Sequence, residues 1–338
     1  MERPRLVPFR RLAVVTTAAT FLLVAVGGAV RATDSGLACP DWPFCYGKLI
    51  PRQADIPPET GYTLWNVWLE HSHRLLASVV GLLVLALAVW AVARFRDRRD
   101  LLWPAVVAFV VVCLQGALGA FVVLEQLLAE LVTAHLGTAM LLVGLLLWLS
   151  VAAGPAAQRV GGARDRRFAW GATAVAALAY LQILIGGHVT GIGAGLVWTT
   201  FPLMDGSLLP EIASEAAGYH VAHRWFAVVV LAAATWLWAA AVRHRAAARA
   251  AGTWDERRDR WLVTLPMWGA ALVVAQIGLG VANLVSQLSA LSVVPHLTVA
   301  SWIWGVLALA AILAHRRAPA LATTEAGGAR VPAGQVAP

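Results

Sequence analysis

The sequence predicts an all-α integral membrane protein with eight transmembrane helices, arranged as two repeated four-helix bundles. Three observations lead to this fold class. Hydrophobic residues make up 60% of the 338 residues and charged residues only 13%, whereas soluble domains usually carry about 25% charged residues. Eight apolar runs reach the length of about 20 residues that a helix needs to cross a bilayer. Motifs in the first four runs also recur, in the same order, in the last four.

The eight runs set the order of elements along the chain. Backbone N–H and C=O groups find no water partner in lipid, so such runs are expected to form helices. The spans are predicted near 12–31, 70–93, 101–123, 130–152, 168–189, 219–242, 262–285 and 292–314. The domain boundaries follow as an N-terminal half at 1–153, a cytoplasmic linker at 154–167, a C-terminal half at 168–317 and a disordered tail at 318–338.

The net charge of +8 has an uneven distribution along the chain. Of the 26 Lys and Arg residues, 21 precede the first span or follow the second, fourth, sixth and eighth spans. This alternation follows the positive-inside rule, which predicts a multi-pass protein of the cell membrane, in contact with lipid, with both termini in the cytoplasm. Such an orientation signal argues against nucleic-acid binding. A cleaved signal peptide is the competing interpretation of the first span, but its counterpart in the second half favours retention.

A long outer loop follows the first span, at about 32–69. Cys39 and Cys45 lie six residues apart in this loop, on the side that is oxidising in bacteria, where a disulfide is plausible. Two free thiols are the alternative. A metal site is disfavoured because no third or fourth ligand stands nearby. Cys113, inside the third span, is expected only to pack there.

Four histidines in two matched pairs carry the functional prediction. His73 recurs as His223, and His135 recurs as His296. All four are predicted in the first two turns of spans that run from outside to inside, so we expect them at one depth near the outer leaflet. Imidazoles from two neighbouring helices can serve as the axial ligands of a haem iron. A hydrogen-bonded packing role is the alternative for one histidine, and the repetition in pairs weakens it.

Other repeated residues place the remaining helices. Gly27-Gly28 recurs as Gly186-Gly187, and Gln115 to Gly119 recurs as Gln276 to Gly280. Small residues and glutamine at these places are expected to serve close helix packing. Matches in all four helix pairs indicate a duplication in which both halves insert in the same direction. The other five histidines show no pairing: His71 and His188 are expected at the membrane interface, His244 and His315 at the cytoplasmic edge, and His220 stands in the place of an acid.

That acid is Glu70, which is where the halves differ most. Glu70 and His73 are three residues apart and share a helix face. A carboxylate one turn from a haem ligand could carry protons or stabilise a cationic intermediate. The first half is therefore predicted to be chemically active and the second to hold a permanent cofactor. The alternative is that Glu70 only pairs with Arg74, four residues on. Arg74 and Arg224 are candidates for pairing with haem carboxylates.

Together these residues resemble the haem A synthase family. The resemblance rests on Gly27-Gly28-x-Val30-Arg31, Ser35-Gly36-Leu37-x-Cys39-Pro40-Asp41-Trp42-Pro43-x-Cys45, Glu70-x-x-His73-Arg74, His135, His223-Arg224 and His296. It implies that haem O, supplied by haem O synthase, is oxidised at its C8 methyl group to the formyl group of haem A for cytochrome oxidase. It also implies a haem B cofactor on His223 and His296, and substrate haem on His73 and His135, with Glu70 needed for catalysis.

The same resemblance implies that Cys39 and Cys45 form a disulfide that assists haem transfer or turnover. Some relatives carry a second cysteine pair in the later loop, where this chain has Trp198 and Met204. Two other classes of protein stay open. A di-haem b-type cytochrome would transfer electrons without modifying haem, and a duplicated transporter would place ionisable groups beside broken helices. The sequence does not identify the electron donor or the oligomeric state, so a homo-oligomer stays open.

Overall fold

The computed structural model describes residues 3–154 and 166–316. Eight long helices dominate the described chain: α1 Arg3–Ala32, α2 Leu64–Arg94, α3 Arg99–Leu124, α4 Ala129–Ala152, α5 Arg166–Gly191, α6 Glu215–Ala250, α7 Trp261–Val285 and α8 Ala290–His315. All eight are long and apolar enough to cross a membrane, which confirms the predicted fold class. Residues 155–165 of the predicted linker and the whole predicted tail, 318–338, lie outside the described residues.

The helices begin earlier than the sequence predicted, and for α2 and α6 the difference changes where a paired histidine lies. The Thr63 hydroxyl accepts a hydrogen bond from the Asn66 N–H at 3.4 Å, at the start of α2. Ser214 accepts one from the Ala217 N–H at 3.2 Å, at the start of α6. Side chains of this type satisfy the free N–H groups of a first helical turn. His73 and His223 therefore lie in the third turns of their helices, and their predicted place in the first two turns was wrong.

Each half forms one four-helix bundle. In the first, α1 and α3 both pack against α2 and α4, and α5 to α8 repeat this arrangement. We call the end of both bundles that carries the first loop (33–63) and the second loop (192–214) the loop end. Large buried side chains such as Phe9, Leu87 and Leu149 lie at the opposite end, and so do Leu237 and Leu307 in the second half. The paired histidines lie towards the loop end, beyond these cores.

The two halves meet through a reciprocal interface. α1 packs against α8, and α4 packs against both α5 and α8. A Cβ atom placed on Gly28 would lie 3.3 Å from the Leu297 side chain, and one on Gly187 would lie 2.9 Å from that of Leu136. Each leucine directly follows a paired histidine. The second glycine of each repeated pair therefore allows close approach of the other half.

The two loops are built alike around different side chains. Cys39 and Cys45 form a disulfide, as predicted, with their Cα atoms 4.8 Å apart. Both cysteines are fully buried in a small cluster with Val67 at the start of α2. In the second loop, Trp198 and Met204 pack in a similar cluster against α6. An apolar contact thus replaces the covalent crosslink in the second half.

Cys113 differs from its prediction. The sequence placed it in a packed position within the third span, but its side chain is exposed on the surface of α3. The reason is that α3 faces away from the centre of the protein along much of its length, and few of its residues are buried. In a bilayer this surface would meet lipid, where a thiol behaves as a small apolar group.

Candidate functional site

The rings of His73 and His223 pack against glycines of the helix that precedes theirs. A Cβ atom placed on Gly27 of α1 would lie 2.8 Å from Cε1 of His73. One placed on Gly186 of α5 would lie 2.7 Å from Cε1 of His223. Real Cβ atoms essentially never approach another atom so closely. The first glycine of each repeated pair is therefore the residue that leaves room for the imidazole of its own half.

The other two paired histidines have glycine neighbours as well. A Cβ atom on Gly119 of α3 would lie 3.2 Å from Cε1 of His135, and one on Gly280 of α7 would lie 3.5 Å from Cε1 of His296. The four glycines each stand five residues before the last residue of their helices, as Gly27 and Ala32, Gly119 and Leu124, Gly186 and Gly191, and Gly280 and Val285. At 1.5 Å per residue, all four rings lie about 7–8 Å below the helix ends.

The ring nitrogens are largely unused by the protein. Nδ1 of His73, His135 and His296 is buried and makes no hydrogen bond within the described part of the chain. The rings of His73 and His135 are close enough to interact electrostatically, and so are those of His223 and His296. Buried polar groups normally have partners. In each half, two neighbouring imidazoles held against glycines fit a site that would hold a haem iron.

Glutamines fix the backbone beside two of these rings. The Gln115 side chain donates to the carbonyl oxygen of His135 at 2.9 Å, and Gln276 donates to that of His296, also at 2.9 Å. The carbonyl of Gln115 in turn accepts a hydrogen bond from the Thr138 hydroxyl. The glutamines of the third and seventh spans thus join neighbouring helices, as the sequence predicted.

Glu70 is buried under the first loop, with 3% of its surface exposed. Its Oε2 accepts a hydrogen bond from the Cys39 N–H at 2.8 Å, and its Oε1 accepts one from Arg74. The ion pair that the sequence offered as an alternative role for Glu70 is therefore present. These contacts also attach Glu70 directly to the disulfide segment, one helical turn from His73.

Arg74 ties the first loop to α2. Besides Glu70, it donates to the carbonyl oxygens of Cys39 at 3.1 Å, Phe44 at 2.8 Å and Asp41. Most donors of the guanidinium group are therefore used within the protein. A contact between Arg74 and a haem carboxylate stays a prediction.

The second half repeats this arrangement with a histidine in the place of Glu70. Arg224 donates to the carbonyl oxygens of Trp198 at 2.6 Å and Thr200 at 2.8 Å. Its Nε–H donates to Nε2 of His220 at 2.9 Å. The frame of arginine and loop carbonyls is thus common to both halves. Only the first half adds a carboxylate to it.

Comparison with known proteins places this arrangement in a family. A family model described as cytochrome oxidase assembly protein (COX15-CtaA) matches residues 10–308. The chain belongs to this family. Three proteins named haem A synthase are similar to it: one from Parvibaculum lavamentivorans is 30% identical over 315 residues, covering 78% of this chain and 89% of that protein; one from Symbiobacterium thermophilum is 30% identical over 312 residues, covering 88% and 92%; and one from Shouchella clausii is 31% identical over 225 residues, covering 65% and 72%.

In this member of the cytochrome oxidase assembly family, Gln182 of α5 is a site residue that sequence reasoning missed. Its side chain lies 3.1 Å from Nδ1 of His223 and donates to the His223 carbonyl oxygen at 3.0 Å. The signal was available in the repeat. The offset of 159 residues that relates Gly186 to Gly27 relates Gln182 to Leu23, so the two halves differ there.

The surroundings of His71 differ from the sequence analysis in one respect, since no third ligand was expected near the cysteines. Its place at the membrane interface stays a prediction. The structure buries His71 to 1% exposure, with Nε2 2.8 Å from the Leu49 carbonyl oxygen. A ring nitrogen and both sulfur atoms lie within 4.8 Å of one another. The long first loop folds back over α2 and covers this histidine, which spacing along the chain could not show.

Proposed function

We propose that this chain is a haem A synthase, which oxidises the C8 methyl group of haem O to a formyl group and so supplies haem A for cytochrome oxidase. Membership of the family and its haem A synthase relatives support this over a di-haem cytochrome that only transfers electrons. One observation carries the proposal further. Within a repeated frame of histidines, glycines and an arginine, only the first half has a carboxylate, Glu70, where the second has His220.

The first half, 1–153, would hold the substrate. His73 and His135 would hold the iron of haem O, and Gly27 and Gly119 let both rings reach their positions. The haem iron supplies the redox chemistry when it is bound. Glu70, one turn from His73, would place negative charge beside the bound haem and would take up on a carboxylate oxygen a proton from the reaction. Arg74 and Cys39 fix the direction of this carboxylate.

The second half, 168–317, would hold a permanent haem B on His223 and His296. This half repeats the glycine contacts and the hydrogen bonds from the arginine to the loop carbonyls. It differs in that Trp198 and Met204 pack where the first loop has its disulfide, and His220 stands where the first half has Glu70. We infer that it retains its cofactor and carries out no oxidation. In each half, Arg74 or Arg224 would lie beside the haem carboxylates while it also binds the loop carbonyls.

The proposed orientation puts the loop end outside the cell and both termini in the cytoplasm. Its support is the concentration of arginines at the opposite end of the spans. The Cys39–Cys45 disulfide is consistent with an oxidising outer side. Haem O would come from haem O synthase in the same membrane.

The role of Glu70 can be tested by replacing it with Ala and with Gln. The Gln side chain retains a hydrogen-bond acceptor for the Cys39 N–H but carries no charge, so it separates loop anchoring from catalysis. Each variant is expressed with a haem O supply, and the extracted haems are separated by chromatography. We expect loss of haem A from both variants, and wild-type amounts from Glu59→Gln, a control at an exposed acid of the same loop. Undiminished haem A in the Glu70→Ala variant would refute the proposal.

A further inference from the structure

Gln182 is the one described side chain of α5 that hydrogen-bonds to both the ring and the backbone of a paired histidine. Its amide nitrogen lies 3.0 Å from the carbonyl oxygen of His223 and 3.1 Å from Nδ1 of the same residue. Its Oε1 atom is buried and makes no hydrogen bond to any described residue. A buried amide oxygen without a partner is costly, because it has lost its water. This oxygen is therefore available for a donor that appears when a ligand binds.

The equivalent place in the first half cannot offer such a contact. The position is Leu23, whose side chain has no hydrogen-bonding atom, so the His73 ring can meet only the Leu23 backbone there, and its Nδ1 makes no well-formed hydrogen bond to a described residue. The other paired histidines do not show this difference, because Gln115 and Gln276 make the same bond to the backbone of His135 and His296. The two halves therefore differ beside the equivalent rings of His73 and His223, with Leu23 in the first half and Gln182 in the second.

We propose that Gln182 is a positioning residue that holds His223 as a permanent haem ligand, while Leu23 offers His73 no side-chain partner and so lets its haem exchange. The inference rests on the proposed haem sites. An imidazole that binds iron through Nε2 carries its proton on Nδ1, and it normally donates that proton to an oxygen. The torsion of a terminal amide is soft. Rotation of the Gln182 amide would bring Oε1 to Nδ1–H in place of the amide nitrogen.

The consequence differs between the halves as their tasks differ. A hydrogen bond to Nδ1–H fixes the ring orientation and increases the basicity of the ligating nitrogen, and loss of such a partner typically weakens metal binding about 10- to 100-fold. A cofactor that stays in place benefits from this bond. A haem that enters as substrate and leaves as product needs a ligand that lets go, and His73 beside Leu23 meets that need.

The experiment compares four variants of the full-length protein purified with haem: Gln182→Leu, Gln182→Glu, Leu23→Gln and Gln276→Leu. Two quantities are measured, the reduction potential of the low-spin haem and the rate of haem transfer to an excess of apomyoglobin. We expect Gln182→Leu to raise the potential and to speed haem loss about 10- to 100-fold. Gln182→Glu places a carboxylate at Nδ1–H, which accepts this proton more strongly than an amide oxygen, so this variant should lower the potential below that of the wild type. Leu23→Gln should slow loss of haem from the first half.

The Gln276→Leu variant is the matched control, since it removes a bond to the backbone of His296 and none to its ring. Equal changes in potential for Gln182→Leu and Gln276→Leu, or no change for Gln182→Leu, would overturn the inference. If Gln182→Leu does not fold, the Leu23→Gln variant decides, and unaltered haem loss from its first half overturns the inference. Failure of the proposed function looks different, because the wild-type protein would then form no haem A from haem O, and failure of the proposed haem sites would leave the wild-type protein without haem or His223→Ala with all of it.

Discussion

The distances between the glycines and the paired rings predict a graded response to Gly→Ala substitution. In the second half, the new Cβ atom would lie 2.7 Å from Cε1 of His223 in Gly186→Ala but 3.5 Å from Cε1 of His296 in Gly280→Ala. Two carbon atoms are in favourable contact at about 3.5–4.0 Å. The first substitution therefore requires the His223 ring to move by about 0.8 Å or more, and the second requires no movement.

This movement has a calculable effect on haem binding. Overpacking a filled site typically costs about 1–3 kcal/mol, which corresponds to roughly 5- to 150-fold weaker binding. The helix itself responds in the opposite direction, because alanine is about 1 kcal/mol more favourable than glycine inside a helix. That gain is similar in both variants, so it does not explain a difference between them.

The assay is titration of the apoprotein with haem, followed by the absorbance of the low-spin complex, with thermal unfolding measured in parallel. We expect Gly186→Ala to bind haem roughly 5- to 150-fold more weakly than Gly280→Ala, and the Gly280→Ala apoprotein to unfold at or above the wild-type temperature. Equal haem affinity in the two variants would refute the assignment of these glycines to the haem pocket. An unfolding temperature well below that of the wild type in Gly186→Ala alone would show a packing defect instead.

Two predictions concern the first loop. The disulfide closes a short ring, and removing it with Cys39→Ala and Cys45→Ala should destabilise the folded loop by about 2 kcal/mol. Trypsin should then cleave after the exposed Lys48 and Arg52 roughly 30-fold faster. An unchanged cleavage rate would contradict this prediction. Hydrogen bonds from the Lys48 side chain and the Arg52 backbone hold the pKa of the Asp55 carboxyl below its ordinary value of 3.8. Because the folded pKa is the lower one, the contribution of Asp55 is complete above pH 3.8 and is lost as the pH falls through the lowered value. The hydrogen-exchange rate of residues 48–55, corrected for intrinsic rates, should therefore increase only as the pH falls below 3.8. The Asp55→Asn variant should not show this increase. If it does, the increase belongs to another titrating group.

The topology and the site could be predicted from the sequence to different extents. Eight apolar runs and the paired histidines were sufficient for the fold class, because the bilayer fixes helix length and repeated motifs fix the order of helices. The starts of α2 and α6 were not, because Thr63 and Ser214 cap turns that extend beyond the apolar segments.

Contacts between side chains from distant segments were the least predictable. His71 becomes buried because the first loop folds over it, and no spacing along the chain indicates that. Arg74 binds loop carbonyls 30 to 35 residues away. Gly119 and Gly280 were expected only to pack helices, whereas their places beside His135 and His296 depend on how α3 meets α4 and α7 meets α8. The Leu23 and Gln182 difference could have been found by aligning the halves residue by residue.

The reciprocal contacts of Gly28 with Leu297 and Gly187 with Leu136 have an evolutionary consequence. An interface in which the same surface is used twice is that of a symmetric homodimer. An ancestral four-helix protein could have formed it from two identical copies, each carrying the same ligands. Such a dimer cannot have glutamate on one side and histidine on the other, since one gene encodes both. Covalent joining of the copies into a single polypeptide removed that constraint, so the two halves are able to serve the different roles proposed for them.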